Sequence, residues 1–420
     1  MKVLWITNIL FPEAAAQLTG NKELKSSGGW MLGAAKGLIE LGDVDLYVAT
    51  VSSCVRTLTK LKGANITYFL IPLGKGNLRI NKEYNTYWQK INSEVRPDVV
   101  HIHGTEYSHG YAYMKACGCD NVVVSIQGLK SACSDYYHYG ITKSEIYKTL
   151  TLRDLLRGGI IHDQRSCKKS AKYEIEMLKL TKHIIGRTSW DKERTWAINP
   201  NAHYHFCNET LREEFYDGSQ WDYKKCNKHT IFLSQAGYPI KGLHQVLKAM
   251  PLILRHFPNT VIRIAGNDIT KVSTFQDYMH FVGYGRYLRL LIKKLGLEGR
   301  VLFTGSLNAE EMKNEYLTSN VFVCPSSIEN SPNSLGEAQI LGVPCVASYV
   351  GGVPDMMIGR EHNLYRFEEV EMLAYKICSI FENKDMIQCG VVDEVIQRHS
   401  PTTNATMLLD IYRSIIKLKS

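Results

Sequence analysis

Short apolar runs, each long enough for one strand, alternate with helical stretches along this 420-residue chain, and the alternation happens twice. In the first half, residues 3–6, 46–51, 66–71, 99–103, 121–126, 183–186 and 203–207 read as strands. Helical patterns separate them over residues 28–41, 82–95, 111–117, 174–181 and 190–197, with Gly42 and Pro97 as stops. A polar, aperiodic stretch at 217–228 reads as a linker. The pattern then restarts, with strands at 230–234, 261–265, 301–304, 321–324 and 345–347. Helices over 243–256, 284–295, 309–318 and 334–341 lie between or after them. Helices over 368–383 and 393–399 follow, and a last one over 403–416 comes after the break at Pro401. Strands without polar alternation are buried on both faces, and helical crossovers between them demand a parallel sheet covered on both sides. The expected fold is α/β, with two Rossmann-like domains.

Ligands in such sheets collect at the carboxyl ends of the strands, where loops turn into helices. The richest loop is Glu329 to Asp355. Two carboxylates, Glu329 and Glu337, bracket the turn-forming run Asn330, Ser331, Pro332, Asn333. A helix opening near Ser334, capped by Ser331 or Asn333, presents first-turn amides and the positive end of its dipole to an anion. Gly342 and Pro344 stop that helix, and Gly351-Gly352 lets backbone approach a ligand. Lys241-Gly242, between a strand and a helix, sets a cation where a diphosphate would be neutralised. Gly266-Asn267-Asp268 ends another strand with good turn chemistry.

The first half offers its own candidates. Gly28-Gly29 opens a helix with bare backbone amides. His101 and His103 share one face of a buried strand, and His103 stands at its end. Gln127 ends the next strand; it cannot serve as acid or base but can donate and accept hydrogen bonds. Arg187 follows a strand, and Thr188 or Ser189 can cap the helix after it. Asp43-Val44-Asp45 follows Gly42 and starts a strand instead of ending one, so no metal is expected there. Residues 129–172 interrupt the rhythm with tyrosines, leucines and cations, suited to an acceptor or, through an amphipathic face, to a membrane surface.

The string from Glu329 to Asp355, with Lys241-Gly242 before it, resembles the donor site of the retaining nucleotide-sugar glycosyltransferases of the GT-B fold, family 4 (group 1 glycosyl transferases). The resemblance implies a hexosyl transfer from a nucleoside diphosphate sugar to an acceptor hydroxyl, as in bacterial surface polysaccharide synthesis. It puts ribose binding on Glu337, donor-sugar contact on Glu329, and phosphate and sugar on the backbone of Asn330, Asn333, Ser334 and Leu335. It puts phosphate neutralisation on Lys241 and places Gly28, Gly29, Arg187, Gly266 and Asn267 toward the donor, with Gln127 and His103 near the reaction centre. Two departures stand out. Ala236 occupies a place where relatives often carry Arg, and Gln127 one where many carry His. A non-catalytic nucleotide-sugar-binding protein, a glycosidase using the two glutamates and a sugar-nucleotide epimerase remain alternatives. The domain boundaries expected are 1–220, completed by a crossing helix over 400–420, and 221–399.

A net charge of +9 suits anionic phosphates or an anionic surface, and no nucleic-acid module motif is present. Eleven scattered cysteines lack paired zinc spacing and read as reduced thiols. No cofactor is expected beyond the nucleotide sugar as substrate. The partners expected are that donor and a glycan or lipid-linked acceptor. The location expected is cytoplasmic, with peripheral contact at the inner face of the membrane.

Overall fold

The computed structural model describes residues 1–20, 29–73, 82–382 and 393–417. Gly28 lies outside them. The chain divides into two compact units. The first comprises Met1–Ser131, Lys168–Arg212 and Gln397–Ser420, and the second Ala132–Cys167 and Glu213–Ile396.

The first unit is built on eight strands: β1 (Lys2–Thr7), β2 (Asp45–Ser52), β3 (Thr59–Lys62), β4 (Ile66–Pro72), β5 (Val99–His103), β6 (Val122–Ser125), β7 (His183–Gly186) and β8 (His203–Phe206). Their order is β3-β4-β2-β1-β5-β6-β7-β8, parallel throughout except for β3 on β4. β3 was invisible to the apolar pattern because its sequence, TKLK, is half lysine; it survives as an edge strand, where lysine belongs. One face packs Val3, Trp5, Val48, Val99 and Ile185 against the helices Gly29–Glu40 and Pro401–Lys417. Pro401 is the first residue of that last helix, a position where its missing amide costs nothing. The indole of Trp5 donates to Tyr412 Oη at 2.9 Å, fixing the helix to the sheet.

The second unit carries six parallel strands: β9 (Asn227–Leu233), β10 (Val261–Ile264), β11 (Val301–Phe303), β12 (Ser319–Cys324), β13 (Cys345–Ser348) and β14 (Leu364–Tyr365). Their order is β11-β10-β9-β12-β13-β14. The stretch read as a linker is fastened to this unit: Trp221 donates its amide to Leu341 O and its indole to Ser319 O, and Asp217 holds Lys313 at 2.7 Å.

Sequence rhythm assigned everything before residue 220 to the first domain. Ala132–Cys167 instead clusters with the second unit. The reason is a set of bonds to second-unit side chains: His244 Nε2 to Tyr139 O at 2.9 Å, Lys248 Nζ to Gly140 O at 2.8 Å, Ser327 Oγ to Tyr136 O at 2.9 Å and Arg286 to Leu150 O at 2.7 Å. The chain returns through the 21-residue helix Ile160–Leu180, whose length the sequence reading cut short at residue 174.

Candidate functional site

In the second unit, three loops meet at the carboxyl ends of β9, β12 and β13, and backbone contacts stitch them. Ser327 donates its amide to Ile240 O at 2.8 Å, and Gly352 donates to Glu329 O at 3.1 Å. Two glycines make the approach attainable. Gly242 has φ +71°, and a Cβ there would stand 1.7 Å from Pro325 O. Gly351 has φ +52°, and a Cβ would stand 1.9 Å from Glu329 O. Both lie in the left-handed region that glycine alone enters without strain.

This framework sets Lys241 Nζ 2.5 Å from Glu329 Oε1, which also accepts from Ser326 Oγ at 2.8 Å. Burial by itself would lower the lysine pKa, but the Glu329 charge, Tyr238 and the Glu329 hydrogen bond outweigh it and hold the ammonium above its ordinary value. Lys241 is therefore a fixed cation. Glu337 is buried, and Tyr316 donates to Ser334 O at 2.9 Å and to Glu337 Oε2 at 3.4 Å.

The helix bearing Glu337 runs Asn333–Ile340 and starts one residue earlier than expected. Its N-cap is Pro332, with no side-chain cap, so Ser331 and Asn333 do not cap it as expected. Ser331 Oγ points instead to Met356 Sδ at 3.5 Å. Leu335 also departs from the expected role. Its side chain is fully buried and its amide closes on Pro332 O at 2.9 Å, so the first turn consumes that donor itself. Asn330 is buried in the same loop. Gly266 pairs its backbone with Gly305 in an isolated bridge, and Asn267 is exposed just beyond it. Asp268 accepts from the amide and hydroxyl of Thr270, the turn its sequence suggested.

In the first unit, the strand ends are held by side chains. Arg187 is buried; NH1 lies 2.5 Å from Glu209 Oε2, and NH2 donates to Ile126 O and Gln127 O at 3.2 and 3.1 Å. Glu209 Oε1 accepts from Gln127 Nε2 at 2.6 Å. The guanidinium expected to face a ligand is thus engaged in joining the ends of β6 and β7. Thr188 accepts from the Asp191 amide and caps the Ser189–Ile198 helix.

His101 and His103 do share a face, with rings stacked at 3.8 Å between centroids. His101 is bound by Tyr412 Oη at 2.6 Å and by Ser125 Oγ. The two ring nitrogens of His103 are buried without a hydrogen-bond partner, and its ring lies 4.3 Å from Trp5. Burial lowers its pKa to about 3, so the imidazole is neutral. Both histidines line a cavity with Trp30, Arg187, Asn208 and Glu209. Gly29 opens the Gly29–Glu40 helix against Arg212, whose Cγ would stand 2.8 Å from a Cβ at that position. Asp43 of the Asp-x-Asp sequence is paired with Arg413.

Two carboxylates escaped the sequence reading. Glu174, fully buried, accepts from Thr105 Oγ1, the amides of Lys130 and Ser131, and Ser131 Oγ, all within 2.9 Å. It locks the loops after β5 and β6 together. Glu106 belongs to the loop after β5 and reaches toward the loop after β6. Its Oε1 accepts from the Gly128 amide at 3.2 Å, and its Oε2 is shielded from solvent with no partner. Oε2 folds over Gly104, where a Cβ would meet it at 2.1 Å. Burial raises the carboxyl pKa to about 7, against the pull of backbone bonds and Lys130 and with a push from Glu174. The only local sign in the sequence was a glycine two residues before a glutamate at a buried strand end.

Residues 220–390 match the family model described as glycosyl transferases group 1. An uncharacterised glycosyltransferase of Methanocaldococcus jannaschii is 24% identical over 196 residues, 46% of each chain. A GDP-mannose-dependent alpha-(1-6)-phosphatidylinositol monomannoside mannosyltransferase of Mycolicibacterium smegmatis is 28% identical over 127 residues, 29% of this chain and 30% of that one. The chain thus spans less than half the length of these relatives. Among solved structures, the sucrose-phosphate synthase of Thermosynechococcus elongatus superposes with a TM-score of 0.68 over 100% of both chains at 15% identity. An Anabaena protein, HepE, solved with UDP and glucose, gives 0.62 over 99% of this chain and 100% of that one at 14% identity. The fold is therefore GT-B, two Rossmann-like domains, and residues 220–390 are similar to the group 1 glycosyl transferases.

Proposed function

We propose that the protein is a retaining glycosyltransferase that moves a sugar from a nucleoside diphosphate sugar to an acceptor hydroxyl in the synthesis of a bacterial surface polysaccharide. The observation that supports this most is the Lys241–Glu329 pair at the stitched strand ends of the second unit. In this reading the ammonium neutralises the diphosphate, whose charge grows as the glycosidic bond breaks. Glu329, already oriented by Ser326, meets the donor sugar, and Glu337, oriented by Tyr316, binds the ribose hydroxyls. Neither glutamate then acts as a glycosidase acid, and the salt-bridged state of Glu329 agrees with that. In the first unit, neutral His103 and Gln127 offer hydrogen bonds near the acceptor and carry no charge to it. The reaction uses the nucleotide sugar as substrate and no separate cofactor or metal, and it takes place in the cytoplasm.

The test is turnover. The full chain is incubated with UDP-, GDP-, ADP- and dTDP-hexoses and a panel of methyl glycosides, and nucleotide release and product are followed. An axial product from an axial donor is expected, by NMR. Replacing Lys241 by Ala should lower turnover about 100-fold or more, the usual effect of removing one donor to a developing anion. Wild-type transfer by Glu337→Ala would remove the ribose assignment, and no turnover of any donor would remove the proposal.

A further inference from the structure

Four buried polar atoms that lack hydrogen-bond partners among the described residues meet at one cavity of the first unit. They are both ring nitrogens of His103, Nε of Arg187 and Oδ1 of Asn208. All three residues line the cavity, at the carboxyl ends of β5, β7 and β8. His103 and Arg187 are each 4% exposed. Folded proteins leave few buried polar groups unpaired, and several around one hollow point to a polar occupant. Trp30, Asn208 and Glu209, which also line it, keep part of their surface in solvent, so the cavity can be entered between them.

The unpaired atoms specify the occupant. The His103 imidazole is neutral, so one nitrogen donates and the other accepts. Arg187 Nε donates, and Asn208 Oδ1 accepts. A hydroxyl donates once and accepts twice, so it engages groups of both kinds. A charged group does not fit. A carboxylate would meet Glu209 and Asn208 Oδ1, while the guanidinium beside them is already neutralised by Glu209; an ammonium would meet Arg187. Size narrows the choice further. About 40 Å³ is open. At roughly 10–15 Å³ per water this holds about three waters, or an oxygen and the carbon that bears it, but no sugar ring. Much of the remaining lining is apolar, including Trp30, Ile126, Ile185 and Leu408. It suits a methylene and not a ring edge carrying several hydroxyls.

We infer that this cavity takes the hydroxymethyl arm of a neutral hexose, and that His103 and Asn208 select the acceptor for that group. That the hexose is the acceptor rests on the proposed function; that a hydroxymethyl group fits here does not. The test is therefore binding to the full chain without a nucleotide sugar. Methyl glucoside, galactoside and mannoside are each compared with the 6-deoxy and the uronic acid analogue, and dissociation constants are read by ligand-observed NMR. At least one parent glycoside is expected to bind, at least tenfold tighter than both of its analogues. The 6-deoxy sugar leaves the buried nitrogens and oxygen unpaired, and the uronate brings in a charge. His103→Phe keeps a ring and removes both nitrogens, and Asn208→Leu keeps the branched shape and removes the oxygen. Each should reduce the preference for the parent over the 6-deoxy sugar to about threefold or less. His103→Phe removes unpaired buried groups, so it should melt no lower than wild type.

Three results overturn the inference. One is no detectable binding of any parent glycoside. Another is equal binding of parent and 6-deoxy sugars, which would leave the cavity to ordered water only. The third is a preference that survives both substitutions, which would put the recognition elsewhere. Transfer without a hydroxymethyl preference would remove this subsite and leave the proposed function standing. Hydroxymethyl-dependent binding without transfer from any donor would do the reverse.

Discussion

The two units solve the same problem, holding loops at the carboxyl ends of parallel strands, by opposite means. The second unit uses backbone. Gly242 and Gly351 let carbonyls approach where any side chain would collide, and the Glu337 helix begins without a side-chain cap. The first unit uses side chains. Arg187, Glu209 and Gln127 tie β6 to β7, Glu174 ties the loops after β5 and β6, and Thr188 caps its helix. The backbone solution pairs Lys241 with one carboxylate, Glu329, whereas the side-chain solution ties the arginine that the sequence offered as a ligand contact to Glu209 and to two backbone carbonyls. A charged residue at a strand end is thus a site candidate only where something else holds the loop.

The comparison can be broken at each of its parts. The largest effect belongs to Gly242→Ala. It combines a contact of 1.7 Å with a carbonyl and a left-handed φ, so a loss of about 4 kcal/mol or more is expected. Urea unfolding would read it, and a loss below 1 kcal/mol would show that the loop is not held by close backbone approach.

Arg187→Met comes next. It strands the buried carboxylate of Glu209, and about 3–5 kcal/mol should be lost. Adding Glu209→Gln should recover part of that. Full donor affinity in the double variant, read by calorimetry with the active nucleotide sugar, would confirm that the pair holds structure and does not touch the donor.

Glu106→Gln sharpens the contrast within the first unit. A carboxyl whose folded pKa lies near 7, above its ordinary 4.5, binds more protons folded than unfolded between those values. Stability from this group therefore falls as pH rises from about 4.5 to 7. The amide variant should be more stable than wild type at pH 8, on the order of 1–2 kcal/mol, and lose that advantage near pH 5. Thermal melts at the two pH values decide it, and a pH-independent difference would show that Glu106 is not held in this way. The smallest effect is Thr188→Ala, about 1 kcal/mol for a lost cap. Circular dichroism melts would read it, with no change expected in transfer rate.

Much of the second unit was legible in the sequence because its features are local. Strand, glycine, lysine and helix follow one another within a few residues at Lys241, and again from Glu329 to Gly352. Pro332 as the N-cap was misjudged, because the preference of Ser and Asn for caps yielded to the path of the loop. In the first unit the decisive partners are far apart in the chain. Arg187 meets Glu209 across one strand and its helix, and Glu174 meets Thr105 across 69 residues. Nothing in the spacing of such residues marks them as neighbours.

The sequence alone determined the two parallel sheets, because uninterrupted apolar runs separated by helical stretches leave no other way to bury both faces of a strand. It also determined where the backbone must be bare, since glycine tolerates conformations that other residues do not. Only the tertiary structure decided which unit owns Ala132–Cys167, which charges are already paired and which carboxylate is left with an unpartnered oxygen. Those outcomes depend on contacts between distant segments, which let a buried arginine or glutamate brace backbone where the sequence shows only its charge.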